Sequence, residues 1–298
     1  MIRKLVKQGA TTLMVSLPAK WLKLNKLEKG SEVHIAEIED NLVISSKGDK
    51  AKKETDITLL NMVESSIRTL ITNTYRRGFD KVNVKYETKE QFKVLKDVVK
   101  TRLIGFDITK KEKGKCVVES ITEPSAEQFD ILLTKIFYNI SELFDAFKSM
   151  VEGKEGEDME EIEERIQNYE NFCMRVVSKK QVINKKPELL WAFLTLINHG
   201  QRELYHARKY IGKAGISPAV KAFLEDARQV FELIKKAYLE KNVDYLAKVH
   251  EMEKELVYKK GAMLLEKAKG NENMIVFRIM SAIRQFYQSN SPLNGLIL

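Results

Sequence analysis

The chain opens in short alternating runs and then turns helical. Leu13-Met14-Val15-Ser16-Leu17 is a mostly apolar run behind the turn-like Gln8-Gly9-Ala10, a pattern that predicts a strand. Pro18 stands where a helix can begin, because the first helical turn has no partner for its N–H anyway. Leu27-Glu28-Lys29-Gly30 closes that short helical region. Val33 to Ile38 alternates, and Asn41-Leu42-Val43-Ile44 follows after Glu39-Asp40, which predicts a hairpin. The lysine-rich stretch Lys47 to Lys53 is a polar break and marks the first domain boundary.

Beyond it, Ile57 to Arg77 reads as a helix, with Leu59, Leu60, Val63, Ile67, Leu70 and Ile71 at helical spacing and Gly78 as its stop. Lys81 to Tyr86 alternates as a strand, and Lys89 to Leu103 is a second helix. Phe106 to Thr109 and Lys115 to Ile121 form a hairpin around Glu112-Lys113-Gly114. This order of helix, strand, helix, strand, strand describes a small α+β connector.

From Pro124 onward every pattern is helical. Helices are expected over Ser125 to Val151, Asp158 to Lys180, Glu188 to Ile211, Ala219 to Glu240, Asn242 to Lys269 and Glu272 to Asn290. The second is acidic at its start and basic at its end, which suits the helix dipole. Similar lengths in two successive sets of three predict a paired three-helix architecture with short turns. The expected domains are therefore 1–47, 54–122 and 124–298, the last holding repeats at about 124–212 and 216–290.

Composition narrows the class without naming a function. The 298 residues suffice for two or three domains, and 44% hydrophobic with 31% charged residues is ordinary for a water-exposed protein. A net charge of +9 favours anionic partners. Much of that charge lies at the front. Arg3, Lys4, Lys7, Lys20, Lys23, Lys26 and Lys29 face Glu28 alone within the first thirty residues. So short a strand-rich segment buries little core by itself, and pairing with a second copy would set two basic edges side by side. No apolar run approaches bilayer length and no signal-peptide core is present, so a cytoplasmic location is expected. Cys116 and Cys173 lack metal-type spacing and read as buried free thiols.

The run RKLVKQGATTLMVSLPAKWLKLNKLEKGSEVHIAEIEDNLVIS resembles the AbrB-type (SpoVT/AbrB) swapped-hairpin DNA-binding domain. The resemblance rests on the basic first strand, the small-residue turn Gly9 to Thr12, the VSLPAKW step, and LEKGSEV before the last hairpin. It implies that two chains interleave into one small β-barrel, a homodimer, with the first strand and its loop on DNA. By position it nominates Arg3, Lys4, Lys7, Gln8, Thr11 and Thr12 as the DNA contacts. The connector and C-terminal half resemble PhoU, the phosphate-uptake regulator, through TNTYRRGFDKVNV, RLIGFDI, NFCMRVVSK, SPAVKAFLEDARQVFELIKKAY and SPLNGLIL. The implied fold is multidomain and mainly α: a swapped-hairpin barrel, an α+β connector, and a PhoU-like pair of three-helix bundles.

PhoU proteins carry Glu/Asp-x-x-x-Asp motifs that hold metal clusters, and acids four apart do share a helix face. This chain departs from the motif. Its second long helix has Glu163, Glu164 and Asn168, its third Thr195 and His199, and its fifth Glu251, Glu253, Glu255 and Val257. These acids read as solvated surface and His199 as a structural histidine, so no metal or other cofactor is expected. No nucleophile, base or phosphate loop forms a catalytic set, so no enzyme is expected. The expected function is a DNA-binding transcription regulator linked to phosphate uptake or signalling. The alternative is an adaptor without DNA binding, whose body holds a phosphate transporter or signalling protein.

Overall fold

A computed structural model describes residues 2–38, 41–46, 52–59, 63–122, 127–179, 186–212 and 215–298. Internal contacts divide the chain into two units, Met1–Ala51 and Lys52–Leu298.

In the first unit β1 (Val6–Gln8) pairs antiparallel with β2 (Thr12–Met14), with Val6 opposite Met14 and Gln8 opposite Thr12. Gly9 makes the turn with φ of 71°, a backbone state open to glycine at little steric cost. The strand expected over residues 13–17 thus closes at Met14. Helix α1 (Ala19–Leu24) begins directly after Pro18. The Asn25 side-chain amide donates to the Trp21 carbonyl at 2.8 Å, and its oxygen accepts from the Ser46 hydroxyl at 3.2 Å. That pair ties the end of α1 to the second hairpin, β3 (Val33–Ile38) against β4 (Asn41–Ser46). The hairpin's turn residues Glu39 and Asp40 lie outside the described residues, as does most of the Lys47 to Lys53 break.

The second unit starts with a strand that the sequence pattern does not predict. β5 (Glu54–Thr58) runs parallel to β6 (Lys81–Lys85), so Ile57 and Thr58 belong to a strand and α2 (Glu64–Arg76) begins later than expected. β5 is an edge strand with Glu54, Asp56 and Thr58 exposed and Thr55 and Ile57 half-buried. Every position but Ile57 is polar, in keeping with an edge strand whose outer sheet face is open. α3 (Lys89–Arg102) and the hairpin β7 (Phe106–Glu112) and β8 (Lys115–Ser120) complete a four-stranded sheet in the order β5-β6-β8-β7. A capping box starts α3: the Thr88 hydroxyl accepts from the Gln91 N–H at 3.1 Å while the Gln91 side chain accepts from the Thr88 N–H at 3.2 Å. Ile67, Ile71, Tyr75, Leu95 and Val98 pack from the helices onto Val82, Val84, Cys116 and Val118 of the sheet.

The rest is helical: α4 (Gln128–Val151), α5 (Met159–Ser178), α6 (Pro187–Ala207), α7 (Pro218–Glu240), α8 (Asp244–Glu255), α9 (Ala262–Lys267), α10 (Asn271–Gln288) and α11 (Asn290–Ile297). The third expected helix ends in a single 3-10 turn at Arg208–Tyr210 rather than running to Ile211. The fifth is continuous but contains a π-turn at Leu256–Gly261. One apolar core serves both sets of helices. Phe144 lies 6.0 Å from Phe231 and 6.4 Å from Phe286, ring centre to ring centre. Gly200 admits Phe286 so closely that a Cβ there would overlap the ring, so α6 and α10 need glycine at their crossing. The chain is mainly helical, with its small strand pairs near the N-terminus. Among the described residues no helix is long and apolar enough to cross a membrane.

Candidate nucleic-acid interface

The first hairpin carries the nominated residues on one short ribbon, but not on one face. Arg3 and Lys4 precede β1, Lys7 is its middle residue, and Gln8 is its last. Thr11 sits in the turn and Thr12 opens β2 directly opposite Gln8. Alternation puts Gln8 and Thr12 with Val6 and Met14, whereas Lys7 stands with Leu13 on the reverse side. All six nominated side chains are exposed, and none has an ion-pair partner among the described residues. Lys20 and Lys23 on α1 are exposed as well.

Apolar residues around these cations are also in water. Val6 is 58% exposed, Leu13 60%, Ile35 61% and Leu42 70%. No residue of this unit whose burial is described is fully buried, and Trp21 and Leu22 are half-buried. Hydrophobic burial normally supplies the main stabilisation of a fold, roughly 1.5–3 kcal/mol per large apolar side chain. A single copy of this unit leaves most of that gain unrealised.

A second polar arrangement lies inside the second unit, and sequence reading did not find it. Helix α5 fastens the α+β layer to the bundle through a row of charged and polar side chains. Arg102 donates to Glu163 at 3.2 Å, and Arg76 donates to Glu170 at 3.1 Å and to Asn171 at 2.7 Å. Asn171 in turn donates to the Arg102 carbonyl at 2.9 Å. Buried Arg175 donates to the Tyr75 and Phe79 carbonyls at 3.1 and 2.7 Å and to the Asp80 carboxylate. Its guanidinium also lies over the Tyr75 and Phe106 rings. Lys179 reaches the same Asp80 oxygen at 2.8 Å. Burial opposes the charge on Asp80, but the hydrogen bonds from Lys179 and the Lys53 N–H outweigh it and hold the carboxyl below its ordinary range. Glu170 goes the other way. Desolvation pushes it up to about 7 against the pull of Arg76 and Arg202.

Glu163 and Glu253, expected on the solvated surface, are both buried. Glu163 and Glu170 lie seven apart on one face of α5, and nothing in the local sequence says that arginines from α2 and α3 cover it. His199, expected to be a structural histidine among apolar neighbours, is exposed on α6, with desolvation and nearby Arg202 holding it below the ordinary histidine value. The residues at the carboxylate-motif positions do not fit a metal cluster. Glu163 is engaged by Arg102, Thr195 donates its hydroxyl to the Trp191 carbonyl, and Val257 offers no ligand. Among the described residues no three His, Cys, Asp or Glu side chains converge as a metal site. Both cysteines are buried, and neither forms a disulfide among the described residues.

Comparison with family models, curated proteins and solved structures gives no match to this chain.

Proposed function

We propose that the chain is a DNA-binding regulator that works as a homodimer. Two first-unit heads would interleave as an AbrB-type swapped-hairpin barrel, and a PhoU-like helical body would carry the regulatory input. One observation carries this reading: a small basic unit whose strands leave Val6, Leu13, Ile35 and Leu42 more than half exposed. A second copy would cover those strands and bring two sets of Arg3, Lys4 and Lys7 onto one surface. These cations would hold phosphates, and Gln8, Thr11 and Thr12 would meet base edges or sugars. The link to phosphate uptake comes from the PhoU resemblance alone.

Duplex binding measured by fluorescence anisotropy over a salt series tests it. Affinity should fall steeply as salt rises, and Arg3→Ala/Lys4→Ala/Lys7→Ala should flatten the slope by about three in log–log terms for one head, or about five for two. Salt-independent binding, or none at low salt, would reject the regulator. The adaptor reading is favoured by one feature of the body: Tyr258, Met263 and Phe277 are 60%, 47% and 47% exposed on its surface. Capture of a transporter or signalling protein by the nuclease-treated chain, with no duplex binding, would select that reading.

A further inference from the structure

The outer face of α3 carries one kind of charge. Lys89, Lys93, Lys96 and Lys100 recur at steps of four, three and four residues, so they form a single stripe along the helix. The stripe lies opposite Val98, which is buried in the core beneath the sheet, and all four lysines are exposed. A fifth cation joins from β7. Lys111 is exposed too, and its Nζ lies 4.0 Å from the centre of the Phe92 ring on one flank of the stripe.

An ordinary solvated helix face interleaves its cations with acids. Here Arg68 pairs with Glu64, Lys235 with Glu232 and Lys259 with Glu255, each within one turn. The α3 stripe has no acid in it, and none of its five lysines has an ion-pair partner among the described residues. The nearby acids stand aside. Glu90 and Asp97 lie about a quarter turn round the helix, and Asp97 is drawn to Arg68 of α2. Asp107 shares a groove with Lys96 and Lys100, pairs with neither, and accepts from the Ile108 N–H. Like charges three and four apart weaken a helix, and α3 holds three such pairs in a row. An anion laid along the stripe relieves all three. The same face also limits what that anion can be. No large apolar residue of α3 is exposed, so the helix has nothing to insert into a lipid surface. Its Phe92 ring is half-buried under Lys111 and is not free to stack on an unpaired base.

We propose that α3 is a second phosphate-binding face, which holds the backbone of duplex DNA. From Lys89 to Lys100 the helix rises about 16 Å. One strand of a duplex presents a charge every ~3.4 Å along its axis, which is about five over that length, against five lysines. Lysines hold phosphates as point charges, so these contacts position a duplex and read no sequence. The inference rests on the reading of the chain as a DNA binder and gives the α+β layer its own share in that binding. Head and layer use different cations, so either can fail while the other stands.

The test is duplex binding by the full chain, followed by fluorescence anisotropy over a salt series. Lys89→Gln/Lys93→Gln/Lys96→Gln/Lys100→Gln should weaken binding at least about tenfold at low salt. It should flatten the log–log slope by about four for one engaged stripe, or about seven for two. The matching fourfold Lys→Arg variant keeps the charge and should keep the wild-type slope. Without DNA, the glutamine variant should melt above the wild type, because the like-charge pairs are gone and glutamine suits a helix as well as lysine does. A lower midpoint would make the lysines structural supports and overturn the proposal. Arg3→Ala/Lys4→Ala/Lys7→Ala removes the head's contacts alone. If that variant loses affinity and the glutamine variant does not, the stripe is overturned and the head's role stands; the reverse pattern supports the stripe and rejects the head. Vesicles of phosphatidylserine and phosphatidylcholine supply a competing anionic surface. Vesicle binding that the glutamine variant loses while it keeps wild-type duplex binding also overturns the proposal, as does a wild type that binds no duplex.

Discussion

Glu170 shows how one buried group can make a seam respond to pH. The residue is 1% exposed; one carboxylate oxygen meets Arg76 and the other has no hydrogen-bond partner among the described residues. Burial raises it from its ordinary 4.5 to about 7. A carboxyl raised on folding stabilises the fold fully below its unfolded value, and that contribution is lost as pH rises through the folded value. Urea unfolding of the wild type and Glu170→Gln at pH 4.5 and pH 8 should therefore diverge. The wild type should lose about 3 kcal/mol relative to the variant across that interval. A constant difference would mean that Glu170 stays ionised against Arg76 throughout. Arg175 is the complementary case, a permanent cation that holds two carbonyls at the end of α2 as well as Asp80. Arg175→Met keeps the volume but strips those partners. It should cost about 3 kcal/mol of stability by the same urea measurement, because two carbonyls lose their donor at once and Asp80 keeps only Lys179 of its two cations.

At the scale of elements, long apolar periodicities were legible and short polar ones were not. The stripe through Phe129, Leu133, Ile136, Phe137, Ile140 and Phe144 specified α4, and each lies buried there. β5 escaped because its single apolar residue, Ile57, merges without a break into the helical spacing of Leu59, Val63 and Ile67. Only its parallel pairing with β6 separates it from α2. α11 escaped because Pro292 and Gly295 look like a tail, whereas Pro292 lies in its first turn and Gly295 lets Leu189 of α6 approach. The candidate contacts on β1 were visible as charge, but their division between two ribbon faces needed the register. Gly78 was legible as a helix stop, though for half of its role. It has φ of 77°, and a Cβ there would also sit 2.9 Å from the Lys179 side chain that pairs with Asp80. Gly78→Ala should then cost more than the roughly 1 kcal/mol of a simple left-handed cap. Gly114→Ala, which meets the Tyr86 carbonyl at 3.3 Å in a β-turn, provides the comparison. Thermal midpoints of the two variants should rank Gly78→Ala lower if the Lys179 contact matters.

For the whole molecule, the two units differ in what holds them together, and that difference can be measured. Residues 52–298 own two apolar clusters joined across a polar seam, all within one chain. The first unit owns exposed strands and half-buried Trp21. A unit of that size buries little surface by itself, and under the proposed pairing its folding draws on association. Stability that comes from association depends on protein concentration, and stability within one chain does not. Scanning calorimetry should therefore show a lower transition for the head whose midpoint rises with protomer concentration, and a higher one for residues 52–298 that stays fixed. Leu13→Asp, placed on the exposed strand opposite Lys7, should abolish the concentration dependence and leave the upper transition untouched. It should also halve the mass seen by light scattering and remove duplex binding together with the dimer. A head that melts at the same temperature at every concentration would instead be folding as a monomer, and the paired basic surface would lose its physical basis.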